Sequence, residues 1–168
     1  MLPHLAIARK GGCILLLMGA AACLLRAPLD RKVDAETVGA YERWLDRELP
    51  QLLPEREKEL RQALNVIAAR TPRDPGVVGD SFLRRIDGLT SRDVLVLGRE
   101  VTNDALAHQI EQESENILRL LQREESAPNG TNVSNGQRIE HKRKSIEALK
   151  ARIEANRAQI RQLETEGR

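Results

Sequence analysis

The side chains with chemical potential in this 168-residue chain are three histidines, two cysteines and 25 acids, and their spacing assembles no reaction centre. His4, His108 and His141 are scattered, and none belongs to an HExxH or another ligand spacing. Cys13 and Cys23 both lie in one hydrophobic run, and no cysteine follows. The polar part of the chain therefore excludes a disulfide framework and a cysteine-based zinc site. Glu55, Glu57 and Glu59 stand two apart, so a helix spreads them around its surface and does not converge them on a cation. Ser81, Ser91 and Ser145 have no histidine at a spacing that predicts a base, and P-loop, GxGxxG and GxSxG motifs are missing. The expectation is a protein that is not an enzyme and has no cofactor or metal.

Two further patterns carry weaker chemistry. His141-Lys142-Arg143-Lys144 is a basic cluster, of the kind that meets acidic lipid or nucleic acid, or forms the basic side of a helix facing an acidic one. The second reading is favoured here. Asn129-Gly130-Thr131 and Asn132-Val133-Ser134 match the N-glycosylation acceptor, but a turn rich in Asn and Gly has the same letters.

Cys23 leads to the elements that would hold it. No acid precedes Asp30, and Arg9 and Lys10 precede residues 11–25, fifteen positions without a charge. A helix over that run is roughly 22 Å long at 1.5 Å per residue, short against a bilayer core of about 30 Å. It lengthens if Arg9 and Lys10 snorkel and residues 5–8 join it. Three readings follow. Residues 1–29 form a retained anchor; or they form a signal peptide cut after Ala20-Ala21-Ala22; or Ala21-Ala22-Cys23 is a lipoprotein signal with Cys23 as the lipidated residue. The retained anchor is preferred. A short tail before an apolar run stays in the cytoplasm, which puts residues 30–168 outside.

Beyond residue 29 the pattern is helical. With 2% aromatics, 31% charged residues and few β-branched runs, a β-sandwich or a doubly wound sheet is excluded, and the expected class is all-α. A net charge of +2 is too balanced to imply nucleic acid. Residues 30–89 read as short helices. Val38, Tyr41, Leu45 and Leu49 share one face of a helix over 34–49, which Pro50 ends or kinks. Pro54 opens the next, which runs to Arg70. Asp80 caps a short helix to Ile86, and Thr90 to Asp93 resembles a capping box with Asp in place of Glu.

Residues 90–168 read as a long helical hairpin. Helical spacing continues to about residue 125, with Gly98 a soft spot costing roughly 1 kcal/mol relative to Ala. Residues 126–136 are a loop. The last segment is a heptad, with Ile139, Ile146, Ile153 and Ile160 at a, and Lys142, Leu149, Asn156 and Leu163 at d. Residues 91–125 sum to −4 and residues 137–168 to +4. Opposite charge on two helices of about 45 Å favours an antiparallel hairpin, and Ile at a with Leu at d also supports a parallel homodimer. The functional expectation is a membrane-tethered extracytoplasmic coiled-coil scaffold or adaptor of the cell envelope. It would be single-pass in a bacterial inner membrane with its bulk in the periplasm. Its partners would be the membrane and a protein partner or second copy through the coiled coil, without nucleic acid. The alternative is a secreted or lipid-anchored helical binding protein or chaperone.

Overall fold

The computed structural model describes residues 27–72, 81–125 and 133–166. These are mostly helical, with no strand among them, as the composition predicts. The helices are α1 (Val38–Glu48), α2 (Pro54–Arg70), α3 (Ser81–Ile86), α4 (Ser91–Glu125) and α5 (Val133–Glu166), with 3-10 turns at Ala27–Asp30 and Leu49–Gln51. The hydrophobic run 11–25 with Cys23, the cap expected at Asp80, and Asn129 and Asn132 lie outside the described residues. Among the described residues no helix is long and apolar enough to cross a membrane.

Helix starts follow local chemistry. Thr37 is extended, and its Oγ1 accepts the Ala40 amide at 3.1 Å, capping α1. Pro54 opens α2, where its missing N–H costs no intrahelical bond. At the start of α4 the capping is reciprocal. Thr90 Oγ1 accepts the Asp93 amide at 3.1 Å, and Asp93 Oδ2 accepts the Thr90 amide at 2.9 Å. Gly88, with φ of 73°, makes the turn between α3 and α4.

Two local expectations are corrected. The first helix begins at Val38, not at Asp34. Residues before it are engaged elsewhere: the Ala35 amide donates to Asp87 Oδ1 at 2.8 Å. The buried side of α1 is Ala40, Trp44 and Glu48, whereas Val38 is 58% exposed. Tyr41 and Leu45 still pack against the core and Leu49 lies in it, so the stripe fails at Val38 alone, and the face is widened toward Trp44, the largest apolar side chain in the helix. The second correction is at residues 133–136, expected as loop and found in the first turn of α5. Weak helix formers are tolerated there because the first amides have no intrahelical acceptor.

The core forms where α1, α2, α3, the start of α4 and the end of α5 meet. Trp44, Leu49, Leu60, Ile67, Ile86, Val94, Leu95 and Leu163 are among its most buried members. The chain's three aromatics gather here, Trp44 within the core and Tyr41 and Phe82 against it. Tyr41 stacks on Trp44 at 6.2 Å and meets Phe82 edge-on at 5.7 Å. Burial pushes the Tyr41 phenol above its ordinary pKa, with the Arg61 guanidinium pulling it part of the way back.

The extended segment at residues 31–35 is stitched to this core. The Val33 amide donates to the Leu89 carbonyl at 2.7 Å, the Gly88 amide to the Val33 carbonyl at 3.0 Å, and the Ser91 amide to the Arg31 carbonyl at 3.1 Å. Arg31 also reaches Glu48 at 3.0 Å, and Arg47 closes on the same carboxylate at 2.7 Å. Glu48 is 1% exposed, so these two guanidiniums replace the water its charge has lost.

Candidate interaction surface

The longest continuous surface is the pair α4 and α5. Each helix rises about 50 Å at 1.5 Å per residue. Their partners run in opposite directions along the chain. Arg92 Nη1 donates to the Leu163 carbonyl at 2.7 Å, Asn156 Nδ2 donates to Asn103 Oδ1 at 2.8 Å, and Lys142 pairs with Glu113. The two helices are therefore antiparallel.

Burial along the heptad of α5 is uneven. Ile139, Ile146, Leu149 and Leu163 are buried, whereas Ile153, Asn156 and Ile160 are half-buried. The two polar positions have found partners on α4: Asn103 for Asn156, and Glu113 for Lys142. Both pairs are only part-buried, so their desolvation cost is moderate. His141 is exposed.

The opposite net charges of α4 and α5 meet little at close range. Among the described residues only Lys142–Glu113 bridges the two helices as an ion pair. Other charged pairs run along one helix, such as Arg119–Glu115, Lys144–Glu140, Lys150–Glu147 and Arg157–Glu154. Such exposed pairs contribute about 0–1 kcal/mol each.

The base of the pair is clamped by arginines that spacing did not single out. Arg92 Nη2 donates to Asp30 at 2.7 Å while Nη1 holds the end of α5, so one guanidinium joins three segments. Arg99 reaches Glu59 on α2 at 3.6 Å and Gln159 on α5. Arg56 on α2 pairs with Glu166 on α5 at 3.5 Å. Arg56 also pairs with Glu59 one turn along α2 at 2.8 Å, but the partners that join the helices are distant in sequence, so no local pattern marks them.

A cleft of about 270 Å³ opens between α2 and α5, with α4 as its floor. Its polar lining includes Glu59, Gln62, Arg99, Thr102, Arg152 and Asn156. That is slightly below the usual ligand pocket of about 300–1,000 Å³. Among the described residues no three His, Cys, Asp or Glu side chains converge as a metal cage requires. Comparisons with protein-family models, with curated proteins and with solved structures give no match for this chain.

Proposed function

We propose that this chain is a membrane-tethered, extracytoplasmic scaffold or adaptor without enzymatic activity. In this reading residues 1–29 hold it to the membrane, and α4 and α5 form a helical hairpin whose coiled-coil seam is presented away from it. The observation that carries the reading is where the two ends of the pair lie. Residues 31–35, which follow the hydrophobic run, are bonded at the start of α4 through Leu89, Ser91 and Gly88. Residues 126–132 join the opposite ends of the same two helices. The rise from Arg92 to the end of α4 is about 50 Å, so an anchor at one end leaves the other well clear of a bilayer surface. The stitched segment and the Arg92 clamp support a rigid joint there, as a spacer requires.

The experiment is extraction of the full-length protein from membranes. It is expected to resist high salt and carbonate and to dissolve in detergent. Recovery in the soluble fraction without detergent sinks the tether. Substituting Cys23→Ser then separates the two kinds of attachment: it abolishes lipid incorporation in a lipoprotein and leaves a spanning anchor unaffected.

One observation favours the second reading, a secreted or lipid-anchored binding protein. The cleft between α2 and α5 presents amide and guanidinium groups in a concave site. The intact mass of the membrane-fraction protein discriminates, because cleavage after residue 22 removes the anchor.

A further inference from the structure

Beyond the base, α4 and α5 continue as a two-helix arm. His108 of α4 still shares a cleft with Arg70 of α2 and Arg85 of α3. Leu106 is the last α4 residue classed as buried among those described. On this arm α4 exposes two large apolar side chains, Leu118 at 58% and Leu121 at 36%. Gly98, which touches α2, lies twenty residues before Leu118. At about 100° per residue the two positions point roughly 160° apart around the helix. The exposed leucines therefore occupy the flank of α4 away from α2, where the base does not obstruct an approaching partner.

The charge on the arm is divided by helix. Residues 109–125 of α4 hold five acids against two arginines, and residues 137–150 of α5 hold five basic residues against two acids. Only Glu113 and Lys142 consume one charge of each sign across the seam among the described residues. The arm is left with an acidic edge and a basic edge, which is the pattern of a self-complementary surface.

We propose that the occupant of the leucine-bearing flank is a second copy of this chain. A two-fold axis along the arm places α4 of each copy against α5 of the other. Every neighbouring pair in the resulting four-helix bundle is then antiparallel and opposite in charge. Both bases lie at the same end, so both chains leave one membrane in the same direction. The inference rests on the hairpin in the scaffold reading but not on the membrane attachment. An arm of about 17 residues is roughly 25 Å long and two helices wide, about 20 Å. It offers some 500 Å² per copy, or about 1,000 Å² in total, at the small end of specific interfaces. The dimer is accordingly concentration-dependent and weakened by salt.

The test uses the full-length protein in detergent, prepared in isotopically light and heavy forms and mixed. Light scattering is expected to give a dimer mass at low salt that falls toward the monomer at high salt. Zero-length carbodiimide coupling is expected to join Glu111 of one isotopic form to Lys144 of the other. Leu118→Glu with Leu121→Glu should reduce this heavy–light link severalfold while helical content stays at the parent level, since both side chains are exposed. A monomer mass at every concentration overturns the proposal. So do heavy–light links confined to α5 against α5, which mark a parallel pairing through the heptad. Membrane extraction is read separately, so a chain that dimerises but comes free of membranes sinks the tether alone.

Discussion

Gly98 of α4 faces Ala63 of α2 so closely that a Cβ added at position 98 would stand 2.5 Å from the Ala63 Cβ and 2.8 Å from its Cα. In isolation a helix gains about 1 kcal/mol when Gly becomes Ala. Here the neighbours are the Ala63 Cβ and the backbone that carries it, neither of which can swing aside, and overpacking of this kind costs about 1–3 kcal/mol. Gly98→Ala is therefore expected to lower the melting temperature, with Ala63→Gly recovering part of the loss in the double variant. A stabilised Gly98→Ala protein would show that α2 and α4 do not cross at this point.

Asn103 and Asn156 give a second coupled pair. Either Asn→Leu change strands the partner amide, costing about 1–3 kcal/mol if it stays buried and less in this half-open site. Replacing both removes the stranded group and is expected to be close to neutral. A double-mutant cycle by thermal unfolding measures the coupling, expected at about 1 kcal/mol. Additive single changes would mean that the two amides act independently.

Tyr41 predicts a pH dependence. Its phenol is raised by burial, so the folded state holds the proton to higher pH than the unfolded state does. The stability it contributes is fully present below the unfolded value near pH 10 and is lost as pH rises through the folded one. Tyr41→Phe has no such proton, so the parent should lose stability relative to this variant only in the alkaline range. The chain has a single tyrosine, so its ultraviolet titration reads the shift directly. An ordinary phenol titration in the folded protein, or a parent and variant that diverge near neutrality, contradicts the assignment.

Features that depend on near neighbours were legible before the fold was known. Pro54 opens α2, Thr90 and Asp93 cap each other, and α4 reaches residue 125, because each of these is decided within a turn or two of chain. Contacts between distant residues were not legible. Gly98 is a weak point by propensity and a contact by geometry, and only the position of Ala63 distinguishes the two. Arg92, Arg99 and Glu48 look like ordinary surface charges in the sequence, yet Leu163, Gln159 and Arg31, which they bind, lie 17 to 71 residues away. The face of α1 was legible only in part for a related reason: Tyr41, Leu45 and Leu49 pack as expected, Val38 does not, and Trp44 was not foreseen. Its apolar residues offer more than one helical stripe, and the packing of Trp44 in the core widens the buried face.

The heptad of α5 supplies the sharpest remaining test, because its members are chemically alike but differ in burial. Sequence spacing makes Ile153 a central a position and therefore a deep one. The fold leaves Ile153 half-buried and puts Leu163, near the end of the helix, at 1% exposure within the core cluster. Leu163→Ala deletes atoms from a packed site and should cost about 2–5 kcal/mol, as large-to-small core changes do. Ile153→Ala removes a comparable apolar group from a site that water already reaches, and its loss should be the smaller of the two. Ile153→Asp adds a carboxylate that can turn toward solvent from a half-buried position, so it should be milder than a charge sealed in the core. Arg152→Asp next to it should change little, since Arg152 is exposed. Thermal and denaturant unfolding of the four variants gives the order. If Ile153→Ala proves more damaging than Leu163→Ala, the middle of the seam is more deeply packed than the end, and the base is not where α5 is held.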